Sequence, residues 1–200
     1  MFVVIMKQAI IFGGAFNPPS RGHVWIVSRC AQIAREIGAE IWILPSGERR
    51  DKQIGVSENL RIELCRAMIR DADTRGVDVR IVTSELERET MVETIDTIHE
   101  FAHDYPDYQL HWVFGADAYD TMQTWRGGEW MLNHLDMLIV TRIGYPLRAR
   151  PNVRVIEGLS DDVSSTLIRR AHASRRPVDD LVTPRVAQLL ASGNIRYTSE

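Results

Sequence analysis

The sequence predicts an α/β fold in which a mostly parallel sheet carries helices on both faces. Short apolar runs alternate along the chain with longer segments in which apolar residues recur every three or four positions, and this alternation is typical of successive strand–helix–strand units. The 200 residues are 44% hydrophobic and contain no Gly/Ser/Pro-rich linker. We therefore expect one domain over residues 1–200.

The first half of the chain predicts three strands and two helices. In order, these are a strand that ends over 10–12, a helix over 22–37, a strand over 40–44, a helix over 57–71 and a strand over 77–82. The second helix has a favourable N-cap in Ser57. Its apolar residues Leu60, Leu64 and Met68 share one face, which indicates a helix packed on a core.

The second half continues the alternation. Its elements are a helix over 94–103, a strand over 109–114, a short helical region over 125–134, a strand over 137–141, a short strand over 153–156, a helix that begins at Ser164 and a final helix over 184–192. Pro184 is typical of a first helical turn, and Gly193 is typical of a helix stop.

Four residues that follow predicted strand ends are expected on one edge of the sheet. They are Gly13, Pro45, Ser84 and Gly115. Because the carboxyl ends of parallel strands meet at one edge, and ligands bind there where the winding reverses, this edge is the expected ligand site.

Composition argues against several classes of protein. A formal net charge of -3 with mixed signs offers no broad basic surface, so no nucleic-acid partner is expected. The apolar run over 1–6 is too short for a signal or membrane segment, so no membrane association is expected. Cys30 and Cys65 lie in helical apolar patterns, where we expect reduced, buried thiols and hence a cytoplasmic protein.

The run over 13–23 reads Gly-Gly-Ala-Phe-Asn-Pro-Pro-Ser-Arg-Gly-His and joins the first strand to the first helix. Glycines let backbone approach an anion closely, and the helix start adds unpaired N–H groups and the positive end of its dipole. His23 adds a donor that can follow charge during a reaction. A tight crossover without ligand is the alternative, since glycine also relieves backbone crowding.

A second segment suited to phosphate lies near the other end of the chain. Residues 163–170 read Val-Ser-Ser-Thr-Leu-Ile-Arg-Arg, with three hydroxyl residues at a helix start. Thr166 and Arg169 are three residues apart and share a helix face. A capped surface helix would need only one of these hydroxyls, so two such helix starts in one chain favour a shared polyphosphate ligand.

These two segments resemble the signature of the nucleotidylyltransferase superfamily. Within it the chain most resembles the bacterial nicotinate-nucleotide adenylyltransferases. The narrower resemblance is carried by Phe-Gly-Ala-Asp at 114–117, Thr-Trp at 124–125, the run over 140–147 and the ending over 189–197. It implies a Rossmann-like nucleotidyltransferase fold and transfer of AMP from ATP to nicotinate mononucleotide, a step of NAD biosynthesis that releases pyrophosphate.

The resemblance also implies an ATP site. His23 and Arg169 would contact the triphosphate as catalytic residues, and Lys52, in the loop after the second strand, is a further catalytic candidate whose alternative is a solvated charge. The remaining ATP-binding candidates are Gly13, Gly14, Ala15, Phe16, Ser20, Gly22, Gly115, Asp117, Ser164, Ser165 and Thr166. Asp117 is alternatively the N-cap of the helix after the fourth strand. Mg²⁺ is expected to arrive with ATP, with no metal site built by the protein.

The acceptor candidates are Asn17, Thr94, Trp125 and Arg126. Trp125 would stack on the pyridine ring, with a core tryptophan as the alternative. Arg126 stands where the family often has Tyr, and it would either answer the nicotinate carboxylate or lie in solvent. Three further departures are Ser20 in place of a usual His, Asn17 in place of a usual Asp, and Glu93 within the family's Ser-Tyr-Thr segment.

Three functions are consistent with these residues. The first is adenylyl transfer from ATP to nicotinate mononucleotide. The second is transfer to another acceptor such as nicotinamide mononucleotide, and the third is nucleotide binding without turnover, suggested by the departures at Asn17 and Ser20. ATP and a mononucleotide are the expected partners, and a homo-oligomer is left open.

Overall fold

The computed structural model describes residues 6–47, 56–88, 90, 93–141, 147, 150–158, 164–192, 195 and 197. Within these ranges six strands form one sheet in which all neighbouring strands are parallel. The strands are β1 (Lys7–Gly14), β2 (Ala39–Pro45), β3 (Val79–Ile81), β4 (Tyr108–Gly115), β5 (Asp136–Val140) and β6 (Val153–Ile156). The predicted α/β class with a parallel sheet is confirmed.

The strand order is β3-β2-β1-β4-β5-β6, so the winding reverses between β1 and β4. A crevice forms beyond the carboxyl ends of the strands at such a reversal. Gly13, Pro45 and Gly115 lie at the carboxyl ends of β1, β2 and β4, and Ser84 follows β3 by three residues. Three of the four residues therefore lie at carboxyl ends of neighbouring parallel strands, and the fourth follows such an end.

Seven α-helices accompany the sheet in the described ranges. They are α1 (Arg21–Ile37), α2 (Glu58–Asp71), α3 (Thr94–Asp104), α4 (Ala116–Thr121), α5 (Gly128–His134), α6 (Ser165–Ala173) and α7 (Pro184–Ala191), with one turn of 3-10 helix at Met122–Thr124. None of these described helices is long and apolar enough to cross a membrane.

Successive residues of β1 face opposite sides of the sheet, and each side has its own core. Ile10 packs in one cluster with Cys30 of α1 and Cys65 of α2. Ile11 packs in a second cluster with Ile98 of α3. Helices therefore cover both faces, as predicted, and both cysteines are buried free thiols.

A third cluster joins α6 and α7 to the outer side of α2. Leu64 and Ala67 of α2 pack there with Ile168 of α6 and with Val186 and Leu190 of α7. This apolar contact fixes the position of α6 relative to α2, and through α2 relative to β2. The start of α6 is thereby held near the carboxyl edge of the sheet.

The helical region predicted over 125–134 is wrong at its beginning. Trp125 has extended backbone, with φ -80° and ψ 157°, and α5 begins only at Gly128. Gly127 has φ 70°, a conformation that favours glycine. A Cβ on Gly128 would lie 1.8 Å from the carbonyl oxygen of Met122, so this turn requires its two glycines. Helical structure instead starts earlier, at Ala116, directly after β4.

Candidate active site

The glycine turn, residues 13–20, joins the end of β1 to the start of α1 at the carboxyl edge of the sheet. Gly13 is exposed, and a Cβ there would meet only the carbonyl oxygen of Leu44 at 3.9 Å. Gly14 has little room for a side chain, because a Cβ would lie 3.2 Å from Cζ of Phe16. Gly13, Gly14 and Ala15 therefore leave part of this turn open to solvent, Gly13 most of all.

Phe16 supports this turn from beneath. Its side chain is 1% exposed and packs edge-on against Phe12, with ring centroids 5.3 Å apart. Its φ of 45° is a strained conformation for a bulky residue. Among the expected ATP-binding residues, Phe16 could therefore touch a ligand only through its backbone, and Gly22 is likewise buried, in the first turn of α1.

His23 is oriented by Ser20, the N-cap of α1. Nδ1 of His23 accepts a hydrogen bond from the backbone N–H of Ser20 at 3.0 Å and lies 2.8 Å from its hydroxyl. A backbone N–H can only donate, so Nδ1 is the acceptor and the proton of the neutral ring is on Nε2. The ring also packs on Phe12 and Phe16, at centroid distances of 6.0 and 5.5 Å. The imidazole is thus fixed as an Nε2–H donor.

Ser20 itself is buried, at 2% exposed. It was expected to contact ATP in place of the family's usual histidine. In this structure its hydroxyl bonds to His23, so its contribution to an anion site passes through the imidazole.

The start of α6 meets the glycine turn directly. The Ser165 hydroxyl donates to the carbonyl oxygen of Pro18 at 2.9 Å. Nη1 of Arg169 donates to the carbonyl oxygen of Asn17 at 3.0 Å, and Nη2 donates to Oγ1 of Thr166 at 3.1 Å. Ser164 caps the helix by accepting from the N–H of Leu167 at 3.2 Å. The two helix starts therefore converge on one loop.

Arg21 strengthens this convergence from the other side. Its backbone N–H donates to Leu181 at 3.1 Å, and its guanidinium donates to the carbonyl oxygens of Val182 at 3.1 Å and Asp179 at 3.0 Å. These acceptors lie between α6 and α7. The first residue of α1 is thus held against the segment that connects α6, which carries Arg169, to α7.

Tyr197 is a site residue that the sequence reasoning missed. Its hydroxyl donates to Oδ1 of Asn17 at 2.8 Å, and Asn17 is itself buried at 5% exposed. Burial raises the pKa of Tyr197 well above its ordinary value, so the hydroxyl remains a donor at neutral pH. The only signal was its position in the C-terminal ending that carries the family resemblance.

Thr94 and Trp125 lie in two segments that contact each other through Ile95 and Gly127. Thr94 is the first residue of α3, and Gly127 lies so close to the next residue, Ile95, that a Cβ would approach its Cγ1 to 2.8 Å. Trp125 is half-buried and packs edge-on against Phe114 at a centroid distance of 6.4 Å. One part of the indole therefore belongs to the core, as the alternative held, while the rest is open to a ligand.

Arg126 lies at the surface with its side chain 55% exposed, and it is paired there with carboxylates. It forms ion pairs with Glu93 and Asp96, and the hydrogen bond from Arg126 is the main reason why the pKa of Asp96 lies below its usual value. Asp96 also accepts from the backbone N–H of Glu93 at 3.1 Å. The guanidinium is therefore already matched by two carboxylates, which also explains how Glu93 is accommodated here.

Asp117 is not the N-cap of the helix after β4. That position belongs to Gly115, with φ -74° and ψ 155°, and Asp117 lies in the first turn of α4. A Cβ on Gly115 would lie 2.5 Å from Oδ1 of Asp117, so the carboxylate folds back over the end of β4. Asp117 remains half-exposed at the expected edge.

Two expectations remain: Lys52 as a catalytic candidate, and the absence of a metal site built by the protein. Lys52 lies outside the described residues. In the ranges that are described, no group of three His, Cys, Asp or Glu side chains could hold a metal ion.

Comparisons with known proteins agree with this geometry. The cytidylyltransferase-like family model matches residues 11–171. The chain is 33% identical over 191 residues to a probable nicotinate-nucleotide adenylyltransferase of Exiguobacterium sibiricum, covering 94% of this chain and 98% of that one. It is 28% identical over 192 residues to the nicotinate-nucleotide adenylyltransferase of Bacillus subtilis, covering 95% and 98%.

A solved structure has the same fold. Nicotinic acid mononucleotide adenylyltransferase of Plasmodium falciparum, complexed with NaAD, superposes with a TM-score of 0.77 at 19% identity, covering 94% of this chain and 97% of that one. The same protein complexed with APC gives a TM-score of 0.75 at 18% identity. The Rossmann-like nucleotidyltransferase fold expected from the sequence is confirmed.

Proposed function

This chain belongs to the cytidylyltransferase-like family and, within it, to the nicotinate-nucleotide adenylyltransferases, and on that premise we propose that it transfers the adenylyl group of ATP to nicotinate mononucleotide. The products are pyrophosphate and nicotinate adenine dinucleotide. The observation that carries the proposal is the convergence of the starts of α1 and α6 on one loop, with His23 and Arg169 both fixed to it.

The reaction needs no nucleophile from the protein. An oxygen of the acceptor's 5′-phosphate attacks the α-phosphorus of ATP, the new P–O bond forms, and the bond from that phosphorus to the bridging oxygen breaks. The electron pair leaves with pyrophosphate. Because both reactants are anions, catalysis consists of holding them in line and stabilising the charge that develops on the leaving group.

The chain provides donors suited to that charge. Nε2–H of His23 is set by the contacts of Nδ1. Arg169 uses two of its five N–H donors on Asn17 and Thr166, which holds the guanidinium in one orientation while other donors remain for phosphate oxygens. The N–H groups at the starts of α1 and α6 add further positive potential.

Mg²⁺ is proposed to enter with ATP, held mainly by phosphate oxygens as magnesium usually is. When bound, the ion neutralises part of the phosphate charge. We also propose a cytoplasmic location, supported by two free thiols in the core, since cytoplasmic proteins keep their cysteines reduced.

A second acceptor is favoured by one specific observation. Glu93 and Asp96 already pair with Arg126, so this guanidinium is not an unpaired cation for the carboxylate of nicotinate. Beside the half-exposed ring of Trp125, a neutral amide would meet no repulsion from Glu93. Nicotinamide mononucleotide is therefore the alternative acceptor.

The test is product formation with a panel of acceptors. The protein is mixed with ATP, Mg²⁺ and either nicotinate mononucleotide, nicotinamide mononucleotide or no acceptor, and pyrophosphate and dinucleotide are quantified. The proposal expects the highest kcat/KM with nicotinate mononucleotide. A preference for the nicotinamide form would establish the alternative, and tight ATP binding without product from any acceptor would indicate a binding protein.

A further inference from the structure

Arg61 is a buried arginine in the first half of α2. The residue is 3% exposed, and Leu64 and Cys65, one turn further along the helix, are fully buried. Arginine is almost never buried to this extent unless it is paired with an anion, because moving a charge out of water is costly. Its counter-ion therefore needs to be identified.

No carboxylate in the described part of the chain forms an ion pair with Arg61. Its Nη1 donates to the carbonyl oxygen of Ser46 at 2.5 Å, and its buried Nε has no hydrogen-bond partner. Burial lowers the pKa of the guanidinium, against smaller opposing influences of Cys65 and Glu58. The Glu58 side chain is exposed, so water screens its charge. Arg88, also largely buried, pairs with Glu100. Among the residues that the structure describes, Arg61 thus differs from Arg88 in having no carboxylate partner.

Arg61 lies directly behind the glycine turn. Ser46, whose carbonyl oxygen it binds, also donates its backbone N–H to the carbonyl oxygen of Gly14 at 2.9 Å. Gly14 and Pro45 are partners in the β1–β2 register. Ser46, the residue that follows β2, therefore separates the guanidinium from the loop that His23 and Arg169 flank. The Ser46 hydroxyl is also buried and without a partner.

We infer that the counter-ion of Arg61 is a phosphate group of the bound nucleotide, and that Arg61 acts across Ser46 as a fixed positive charge behind the glycine turn. The inference rests on the proposed function, since it requires an anionic ligand at that turn. A charge in the protein interior acts over distances at which water would screen it. Arg61 is thus a positioning residue whose effect grows with the charge of the ligand.

Calorimetric titration of ligands of increasing charge tests this role. Kd is measured for adenosine, AMP, ATP, pyrophosphate and nicotinate mononucleotide in the unaltered protein, in Arg61→Met and in Arg66→Met. Arg66 is the matched control, because it removes the same charge from the same helix at an exposed position paired with Glu63. Arg61→Met is expected to weaken ATP binding roughly tenfold or more and AMP binding less, with adenosine unchanged, and Arg66→Met to change none of them appreciably.

The ligands also separate the two sources of phosphate. A loss confined to ATP and pyrophosphate places the counter-ion in the triphosphate, and a loss confined to nicotinate mononucleotide places it in the acceptor phosphate; either supports the inference. If Arg61→Met does not fold, Arg61→Gln keeps a donor for Ser46 without the charge and carries the same expectations.

Two results would overturn the inference. An equal loss for adenosine and for every phosphate ligand would show that Arg61 only maintains the fold, and unchanged affinities for ATP, pyrophosphate and nicotinate mononucleotide would show that its charge does not reach a bound phosphate. Failure of the unaltered protein to bind any phosphate ligand would instead contradict the proposed function, and the inference with it.

Discussion

The hydroxyl of Tyr197 donates a hydrogen bond to Oδ1 of Asn17 at 2.8 Å, across 180 residues of sequence. The same asparagine accepts from Arg169 through its backbone carbonyl. Asn17, a buried residue of the glycine turn, is therefore held both by α6 and by Tyr197. Because Arg169 is a proposed phosphate ligand, the position of Asn17 links the tail of the chain to catalysis.

Replacing Tyr197 by Phe is expected to lower both stability and turnover. The free energy of unfolding should fall by about 1–3 kcal/mol, because a buried acceptor on Asn17 loses its donor. The kcat should fall several-fold, since the carbonyl that anchors Arg169 loses support. Tyr108→Phe is the control, because Tyr108 donates to Glu40 at the amino end of the sheet and should leave kcat unchanged. Equal kcat values in the two variants would contradict this role.

Replacing His23 by Ala is expected to lower kcat about a hundredfold or more, with the fold retained, as loss of a transition-state donor does. Ser20→Ala should cost less, because the backbone N–H of Ser20 still holds Nδ1. Single-turnover kinetics on both variants, with circular dichroism to check folding, measures the effect. Near-normal turnover of His23→Ala would remove this residue from the mechanism.

The order of elements along this chain could largely be predicted from sequence. The strand over 136–140 contains an apolar run, and α2 shows a clear helical period after its N-cap. The helix predicted over 125–134 begins three residues too early, because the glycine pair at 127–128 interrupts it. That pair marks a turn, and its backbone conformation confirms it.

Replacing Arg169 by Lys is expected to impair ATP use by at least about tenfold in kcat/KM. A single ammonium cannot bind the carbonyl of Asn17, the hydroxyl of Thr166 and a phosphate oxygen in one planar arrangement. Steady-state kinetics with varied ATP provides the measurement. Arg170→Lys is the matched control, since Arg170 is the next residue and is exposed. If the two variants behave alike, Arg169 is structural.

The partners of individual site residues could not be predicted from local patterns. Arg126 pairs with Glu93, 33 residues away, and nothing in the periodicity of either segment indicates that contact. Ser20 orients His23, although a serine three residues before a histidine suggests only a helix start. Arg61 lies among charged neighbours in sequence, and its burial depends on how α2 packs in three dimensions. Such roles depend on tertiary contacts.

The two cysteines predict a loss of stability at alkaline pH. Burial raises the pKa of the Cys30 and Cys65 thiols to about 12, whereas in the unfolded chain a thiol titrates near about 8.5. The folded state therefore keeps protons that the unfolded state releases, so this contribution is full below about pH 8.5 and is lost as the pH rises toward 12.

The measurement is urea unfolding at pH 7, 8.5 and 10. Each thiol should account for about 1–2 kcal/mol of the loss between pH 8.5 and 10, so the Cys30→Ala/Cys65→Ala variant should show a flatter dependence on pH. For each protein, the free energy of unfolding at pH 7 is the reference for its values at higher pH. Parallel curves for the two proteins would show that the thiols do not titrate differently on folding.

Ser165, Arg169 and Tyr197 donate hydrogen bonds to residues 17 and 18, and they lie 147, 152 and 180 positions further along the chain than their acceptors. During translation the N-terminal part of a protein leaves the ribosome first. A nascent chain that has already made its entire sheet therefore still lacks these donors. The capacity to hold a nucleotide should arise only when the final helix and tail have been synthesised, so that shortened translation products would not compete with the finished protein for ATP.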